Sequence, residues 1–279
     1  MKRHLNVIHW AKNKTALLRP LRGRQLLLTI RRRKLAVFGV LLCAAAIFYV
    51  VSSPAFVGAS ATQRELPIYN VKRDNKAVSL TFDAAWGNED TQALIDILAK
   101  YKVHATFFVV GQWAEKYPES VKALSDAGHE VMNHSYDHPH FNKMNADEII
   151  SNLSKANDAV FAVTGKKPTL FRAPYGEYDD HVVKTVRSLG MNVIQWDVDS
   201  LDWKEISAAE ITKRVTGKVK SGSIVLFHNA ALHTPEALPG IIEYLIQNGY
   251  SIVPVSEIIL QGELGMDYYI DNNGTQVMK

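Results

Sequence analysis

Two histidines four residues apart, His134 and His138, stand in the segment HSYDH. If this segment is helical or forms a tight turn, both imidazoles can reach one ion, and neutral imidazole is a suitable ligand for zinc and similar divalent metals. The same spacing also arises between two unrelated surface histidines. The pair by itself leaves both interpretations open.

Aspartates form a second group of candidate residues. Asp83 ends an apolar segment, where partial burial would raise the pKa of its carboxyl group and suit it to general-base catalysis. The alternative is an ordinary turn or helix-capping aspartate. Asp199 and Asp202 lie beside Trp203, whose indole could stack on the face of a sugar ring. The alternative there is a turn followed by a packed tryptophan.

Two cationic residues complete the candidate set. Arg172, in the segment FRAPYG, would either orient a catalytic carboxylate or pair with any buried acid. His228, in the segment LFH, stands at the end of a predicted strand, where a structural histidine would otherwise be the default. Each residue is weak evidence when it is taken alone.

The elements that must position these residues alternate regularly along the chain. Apolar strand signals lie at 77–83, 105–110, 130–133, 169–172, 191–196, 223–228 and 251–255. Helical spacing lies between them, at 90–101, 114–127, 146–163, 179–189, 207–219 and 236–247. Strands that alternate with helices predict an α/β fold with a parallel sheet, here a compact, incomplete barrel of seven or eight strands.

Five of the candidates occupy equivalent places on these elements. All of them stand at or just beyond the carboxyl ends of predicted strands: Asp83, His134, Arg172, Asp199 and His228. In a parallel barrel these ends share one face, which is the face that carries active sites. We therefore expect five separate segments to converge on one pocket.

The N-terminal part of the chain has a different character. Residues 35–51 contain no charge, the basic cluster 31–34 precedes them, and the next charged residue is Arg64. An uncharged stretch of this length after a basic cluster predicts a single membrane anchor with a cytoplasmic N-terminus and an extracytoplasmic C-terminal part. A buried core helix is one alternative. A signal peptide cleaved near ASA at 59–61 is the other, although a basic leader of this length is unusual for one.

Charge and cysteine content narrow the possible partners. Eleven of the 32 Lys and Arg residues fall within 1–34, so the remaining 21 are outnumbered by 28 acidic residues. The chain after residue 34 is therefore acidic, which argues against nucleic-acid binding. The only cysteine, Cys43, lies within the apolar stretch, so the exported part has no internal disulfide, as is compatible with a bacterial exterior.

Five motifs follow one another along the chain in the order TFD, HSYDH, RAPYG, DSLDW and LFH. Together they resemble the motifs of carbohydrate esterase family 4, the polysaccharide deacetylases with the NodB-homology fold. The resemblance runs from about residue 76 to 256 and implies a distorted (β/α) barrel. Flanking segments such as FDAAWGNED and ATFFVVGQW resemble the branch of spore-forming Gram-positive bacteria that is associated with sporulation. The implied activity is that of a hydrolase acting on carbon–nitrogen bonds other than peptide bonds.

The resemblance also implies roles for individual residues. Asp83 would be the general base, positioned by Arg172, and His228 would protonate the leaving amine, with its pKa tuned by Asp199. A divalent metal, with zinc as the first expectation, would be bound by His134 and His138. The substrate-binding residues would be Tyr175, which offers a backbone N–H to the oxyanion, Leu226, which lines the acetyl pocket, and Trp86 and Trp203, which grip the glycan.

One position departs from the family pattern. Family members usually carry a second aspartate directly after the base as a third metal ligand, and this chain has Ala84 there. Asn88, Glu89 or Asp90 could replace it. A completed site, a weak site and no functional metal therefore all stay open, because a catalytic zinc ordinarily has three protein ligands.

These observations lead to one expected organisation. A basic cytoplasmic segment (1–34) and an anchor (35–57) precede a stalk (58–76), a NodB-like domain (77–260) and a tail (261–279) without a recognisable pattern. The expected function is deacetylation of N-acetylated peptidoglycan sugars outside the membrane. A glycan-binding protein without turnover is the alternative, and a chitin or xylan deacetylase is a lesser one. The oligomeric state is not readable from the sequence.

Overall fold

The computed structural model describes residues 23–51 and 64–279. The chain divides into two compact units, with the boundary between Gln63 and Arg64, and each is considered by itself. The first unit contains one described helix, α1 (Gly23–Val51). It therefore begins within the segment that was expected to be a separate basic region.

Among the residues that the structure describes, no helix is long and apolar enough to cross a membrane. The structure does not confirm the transmembrane helix expected over 35–57. Residues 52–57 of that prediction, and residues 1–22 of the basic segment, lie outside the described residues.

The second unit, Arg64–Lys279, contains the strands that the structure describes, and its main sheet is parallel. Their bounds are β1 (Asn70–Val71), β2 (Ala77–Ala84), β3 (Thr106–Val109), β4 (Glu130–Asn133), β5 (Leu170–Phe171), β6 (Asn192–Val193), β7 (Val198–Asp199), β8 (Ile224–His228), β9 (Ser251–Ile252), β10 (Tyr268–Ile270) and β11 (Thr275–Met278). The main sheet has the order β6-β5-β4-β3-β2-β8-β7, and β9 pairs with the start of β2. All of these pairings are parallel.

This sheet confirms the predicted α/β class and the barrel-like arrangement of seven parallel strands. The described pairing leaves β6 and β7 as the two ends of the strand path, so the barrel does not close. The segment before β2 contributes at this opening, where Ile68 forms a parallel bridge with Ile194. Because β5, β6 and β7 are short, loops as well as the sheet hold the residues around them.

Strand β2 is central, and all eight of its residues are buried. Because successive side chains point to opposite faces of a strand, Phe82 packs outward while Thr81 and Asp83 point the other way. The Phe82 ring stacks between Phe107 and Phe227, at centroid distances of 4.8 and 5.3 Å. This aromatic layer fixes the strand whose end carries Asp83.

Helices connect the strands of the second unit. Their bounds are α2 (Thr91–Lys100), α3 (Gly111–Lys116), α4 (Pro118–Asp126), α5 (Ala146–Thr164), α6 (Asp180–Ser188), α7 (Ala208–Thr216), α8 (Thr234–Gln247) and α9 (Val255–Ile258). The single helix predicted over 114–127 is wrong, because Pro118 lacks a backbone N–H and begins a new helix after Tyr117. The expected strand over 191–196 is likewise shorter and is followed by a separate strand, β7.

The structure also moves both limits of the expected NodB-like domain. The predicted stalk includes Ile68 and Val71, which are buried, and strand β1. The tail that showed no pattern forms β10 and β11, which join β1 in a three-stranded sheet of order β1-β11-β10. The compact unit therefore runs from Arg64 to Lys279 rather than from 77 to 260, because these distant segments bury each other's apolar residues.

Candidate active site

A cavity of about 470 Å³ opens at the carboxyl ends of the parallel strands. Nine of the ten predicted site residues line it: Asp83, Trp86, His134, His138, Tyr175, Asp199, Trp203, Leu226 and His228. The tenth, Arg172, is fully buried and contacts Asp83. The predicted convergence of separate segments on one pocket is confirmed.

Arg172 and Asp83 form a buried ion pair beneath this cavity. Arg172 donates hydrogen bonds of 2.8 Å to the Oδ1 of Asp83 and to the Oγ1 of Thr81, and a third of 3.1 Å to the carbonyl oxygen of Gln195. Its guanidinium lies 4.2 Å from the centroid of the Phe108 ring. The geometry agrees with the expectation that Arg172 positions Asp83, since Arg172 holds one carboxylate oxygen while the other lies 3.7 Å from the Nε2 of His134.

The electrostatics of Asp83 differ from what its burial alone predicts. Desolvation raises the pKa of the Asp83 carboxyl, but the charges of Arg172, His134 and His228 outweigh it and lower that pKa. The expectation of a raised pKa is therefore wrong, because it considered burial without the charge of Arg172, which lies 89 residues away in sequence. Asp83 is ionised at neutral pH and can accept a proton.

His228, on the strand next to that of Asp83, is paired with a second buried carboxylate. The Nδ1 of His228 lies 2.8 Å from the Oδ1 of Asp202, and its backbone N–H donates to the Oδ2 of Asp202 at 2.8 Å. Asp202 also accepts from the hydroxyl of Thr234 at 2.7 Å and is fully buried. The imidazole is therefore fixed through Nδ1, which leaves Nε2 as the nitrogen for proton transfer.

The same pairing sets the protonation of His228. Burial lowers the pKa of the imidazole, but the hydrogen bond and charge of Asp202, followed by the charges of Asp83 and Asp199, outweigh it and raise the pKa. Asp199 thus acts only through its charge, while its Oδ1 accepts from the backbone N–H of Leu201 at 2.8 Å. Asp199 therefore contributes to the pKa of His228 as expected, but the larger contribution and the hydrogen bond come from Asp202.

Tyr175 lines the cavity from a strained turn. The residue has φ of 59° and lies in the 3-10 turn Pro174–Gly176. Its ring is held between two imidazoles, with centroid distances of 4.5 Å to His138 and 4.5 Å to His140. A non-glycine residue in the left-handed region is uncommon and concentrates at functional sites, which fits the role predicted for its N–H.

Apolar side chains complete the cavity wall. Leu226 is buried at its floor, whereas Trp86 and Trp203 are exposed at its rim. The ring of Trp86 meets His138 edge to face, with a centroid distance of 5.2 Å. The arrangement suits a ligand with a small apolar group at the bottom and a larger body resting against indole rings.

His134 and His138 lie together, with ring centroids 5.1 Å apart. The Nδ1 of His134 lies 2.8 Å from the carbonyl oxygen of Arg172, so this nitrogen carries the hydrogen and Nε2 is left for a ligand. Burial lowers the pKa of both imidazoles, that of His138 to about 4, and so keeps them neutral. These features agree with two metal ligands.

A third protein ligand is not found. Among the described residues, no group of three His, Cys, Asp or Glu side chains is arranged to hold a metal ion. Ala84 is buried among apolar residues, and none of Asn88, Glu89 and Asp90 lines the cavity. The Oδ2 of Asp90 accepts from the backbone N–H of Ala230 at 2.9 Å instead. The residues present therefore do not fit a three-ligand catalytic metal site.

Some cavity residues escaped prediction from the sequence. Trp196 and Ala85 line the cavity, and Asp202 and Thr234 support His228 from behind. Asp202 had been noticed in DSLDW without a role. The sequence contains one signal for Asp202, which is the tryptophan directly after it. A residue that begins a turn toward the cavity is well placed to hold the end of a neighbouring strand.

Comparisons with known proteins agree with the family that the motifs resemble. The sequence profile of the family described as "Polysaccharide deacetylase" matches residues 70–194. The chain is 35% identical over 210 residues to the peptidoglycan-N-acetylglucosamine deacetylase PgdA of Listeria monocytogenes, covering 74% of this chain and 44% of that one. It is 32% identical to the peptidoglycan-N-acetylmuramic acid deacetylase PdaA of Bacillus subtilis, covering 68% and 73%. The chain spans about half the length of several curated relatives that it matches.

A solved structure is also similar. It is that of a carbohydrate esterase family 4 pseudoenzyme from Bacillus anthracis, 38% identical, with a TM-score of 0.67 and coverage of 70% of this chain and 69% of that one. A mutant of that protein, 39% identical to this chain, is described as having restored enzymatic activity. The fold is thus shared with active enzymes and with a protein that has lost activity.

Proposed function

The chain belongs to the polysaccharide deacetylase family, and from that membership we propose that it hydrolyses N-acetyl groups of peptidoglycan amino sugars, giving acetate and a free amine. The observation that carries the proposal is the pair of fully partnered proton-transfer groups, Asp83 with Arg172 and His228 with Asp202, on one cavity. A general base and a general acid that are both held in place are what amide hydrolysis requires.

The proposed reaction uses these residues in successive steps. The Asp83 carboxylate takes a proton from a water molecule as its oxygen attacks the acetyl carbonyl carbon. The backbone N–H of Tyr175 donates to the oxyanion that develops. His228, whose protonated form is stabilised by Asp202, gives its proton to the leaving nitrogen as the carbon–nitrogen bond breaks. The acetyl methyl group lies against Leu226.

The relatives support peptidoglycan as the substrate class. PgdA and PdaA are named for deacetylation of different sugars, N-acetylglucosamine and N-acetylmuramic acid, so they leave the sugar of this chain open. A role in sporulation rests on the resemblance of flanking segments alone. Anchoring in the cell membrane, with the cavity on the outer side, rests on the uncharged stretch 35–51 and the basic residues before it.

The experiment that tests this proposal identifies the product. The full chain is incubated with N-acetylated peptidoglycan in the presence of zinc, the glycan is digested to disaccharides, and mass spectrometry locates the lost acetyl groups. We expect deacetylated disaccharides with the parent protein and none with His228→Gln. Unchanged disaccharides in both samples would contradict the proposal.

A second candidate function is glycan binding without turnover. It is favoured by the absence of a third metal ligand among the described residues and by the similarity to a pseudoenzyme. In that case the protein binds peptidoglycan with the same affinity in the presence and absence of a chelator, and it releases no acetate. A cosedimentation assay run beside the acetate assay distinguishes the two functions.

A further inference from the structure

A buried glutamine, Gln195, lies in the segment that connects β6 to β7. It is 2% exposed and does not line the catalytic cavity. Its backbone N–H donates to the carbonyl oxygen of Ile68 at 2.8 Å, so the segment before β2 fixes its main chain. Burying a side-chain amide costs free energy unless its polar atoms are hydrogen-bonded, so the contacts of this residue need an explanation.

The backbone of Gln195 supports the proposed general base. Its carbonyl oxygen accepts from the Nη2 of Arg172 at 3.1 Å, while the Nη1 of Arg172 donates to Asp83 at 2.8 Å. The Nε of Arg172 is buried and has no hydrogen-bond partner among the described residues. The orientation of the guanidinium toward Asp83 therefore depends on the hydrogen bonds of its two terminal nitrogens, one of which ends on Gln195.

The side chain of Gln195 holds the turn that carries Tyr175. Its Nε2 donates to the carbonyl oxygen of Gly176 at 3.2 Å. Tyr175 and Gly176 have φ values of 59° and 67°, so two successive residues lie in the left-handed region. A Cβ added at Gly176 would lie 2.9 Å from the ring of Trp196, so the turn packs directly against the segment of Gln195. Strained backbone of this kind persists where surrounding contacts enforce it.

Gln195 therefore joins the two ends of the motif RAPYG. Its carbonyl oxygen holds the guanidinium of Arg172 at the start of the motif, and its amide holds the carbonyl group of Gly176 at the end. Arg172 in turn holds Asp83, and the turn carries the N–H of Tyr175. The base and the oxyanion donor act on one acetyl group, so catalysis depends on the distance and the angle between them.

We propose that Gln195 is a positioning residue for the hydrolysis, whose side-chain amide keeps the N–H of Tyr175 at a fixed place relative to the Asp83–Arg172 pair. The proposal rests on the proposed function, because the oxyanion is assigned to Tyr175 there. Gln195 acts through the turn and touches no reacting atom. Removing its amide should weaken an interaction that forms only in the transition state, which lowers kcat and leaves KM unchanged.

The first test is Gln195→Met in the full chain. Methionine has a side chain of similar length that cannot donate to Gly176, and the backbone contacts of residue 195 do not depend on it. We expect kcat for acetate release from N-acetylated peptidoglycan fragments to fall about threefold to tenfold, as for the loss of one neutral hydrogen bond, with KM within about twofold of the parent. A fall in kcat of less than about threefold, or a change confined to KM, would overturn the proposal.

Gln276→Met is the matched control. Gln276 is also fully buried, and its side chain accepts from the N–H of Leu260 at 2.7 Å and donates to the carbonyl oxygen of Leu260 at 3.0 Å. It does not line the cavity. We expect this change to lower the free energy of unfolding at least as much as Gln195→Met does, with kcat unchanged. An equal loss of kcat in the two variants would reflect general stability and would overturn the proposal.

A measurement without turnover keeps this proposal separate from the proposed function. The backbone N–H groups of Gly176 and Glu177 donate to carbonyl oxygens within the same turn, at 3.1 Å each, so their hydrogen exchange reports on the closure of the turn. Followed by nuclear magnetic resonance, exchange at both amides should be about threefold to tenfold faster in Gln195→Met and unchanged in Gln276→Met. If the parent releases no acetate but this acceleration is seen, the proposed function fails while Gln195 still holds the turn. Unchanged exchange in Gln195→Met would overturn the proposal.

Discussion

The two sides of the catalytic cavity differ in how completely their polar groups are partnered. On the proton-transfer side, Asp83 is held by Arg172, and His228 is held by Asp202. On the other side, His134 and His138 lie together without a third ligand among the described residues. Both sides are built from the same parallel strands, so the difference comes from individual residues and not from the fold.

This contrast identifies the buried polar groups whose cost to the stability of the fold only a function explains. Burying an arginine and a carboxylate together is expensive, and replacing such a pair by apolar residues is often neutral or stabilising. The chain retains Arg172 and Asp83 as well as His228 and Asp202. By contrast, at the position of the usual metal-ligand aspartate the chain carries Ala84, a residue that packs in the core. The comparison therefore favours retained hydrolysis with a weakened metal site.

The largest expected effect is that of Asp83→Asn on catalysis. The amide keeps the shape of the side chain but cannot take a proton, so acetate release should fall by about 10²–10⁴-fold. The measurement is the initial rate of acetate release from peptidoglycan. A loss of less than tenfold would show that Asp83 is not the base and would remove the functional argument for the buried pair.

Arg172→Met tests the structural cost of the same pair. Removing the guanidinium leaves the Asp83 carboxylate buried without its partner, and we expect the free energy of unfolding to fall by about 3–5 kcal/mol. Urea denaturation of the two proteins measures the difference. His138→Ala is the matched change on the other side and should cost much less, because a neutral imidazole has no buried charge partner to leave behind. Equal losses would contradict the contrast.

The third prediction concerns Asp202 and pH. The folded-state pKa of His228 is raised. The protonated imidazole and its stabilising contact with Asp202 are therefore fully present below the ordinary histidine pKa, and they are lost as pH rises through the raised pKa. In Asp202→Asn, burial then dominates and lowers the pKa of His228. The alkaline limb of the pH–rate profile should move to lower pH, and the rate at neutral pH should fall roughly tenfold.

Asp199→Asn provides the comparison within the same motif. Asp199 contributes to the pKa of His228 by its charge alone, so its removal should move the alkaline limb less than Asp202→Asn does. A larger shift for Asp199→Asn would restore the role that sequence reasoning had given to it.

The fourth prediction concerns metal affinity. With two imidazole ligands, zinc should bind more weakly than about 10 µM, since the loss of even a supporting group costs metal sites 10–100-fold. Calorimetric zinc titration of the parent and of His134→Ala measures this, with His104→Ala as a histidine control outside the cavity lining. Micromolar or tighter binding that His134→Ala abolishes would mean that a third ligand exists.

The smallest expected effect is that of His140→Ala. The His140 ring stacks on Tyr175, and its Nδ1 lies 2.9 Å from the Oε2 of Glu177. Loss of the stack should loosen the turn that presents the Tyr175 N–H, which lowers kcat roughly twofold to fivefold with little change in KM. His140→Phe keeps an aromatic ring and should recover most of the rate. A change confined to KM would contradict this positioning role.

The sequence predicted the fold class and the convergence of the site because both follow from local signals. A parallel barrel brings the carboxyl ends of its strands to one face, so placing Asp83 and His228 at strand ends was enough. The choice between Asp199 and Asp202 was not local. It depends on the left-handed Leu201, which turns the chain so that Asp202 meets His228.

Other features depend on contacts between distant parts of the chain. Strand β11 pairs with β1, about 200 residues earlier, and also with β10, and such short strands have little local pattern. The direction of the pKa shift of Asp83 likewise depends on Arg172, on a different strand. Periodicity carries no information on the strand pairing, and the motifs that place Arg172 beside Asp83 do not give the balance between its charge and the burial of the carboxyl group.

The most direct test of retained hydrolysis is the rate of acetate release from N-acetylated peptidoglycan by the full chain, measured beside Asp83→Asn under the same conditions. The account predicts steady acetate release by the parent and at most about a hundredth of that rate by the variant. Equal rates in the two proteins, at or near the background without protein, would contradict it and leave glycan binding as the function of the cavity.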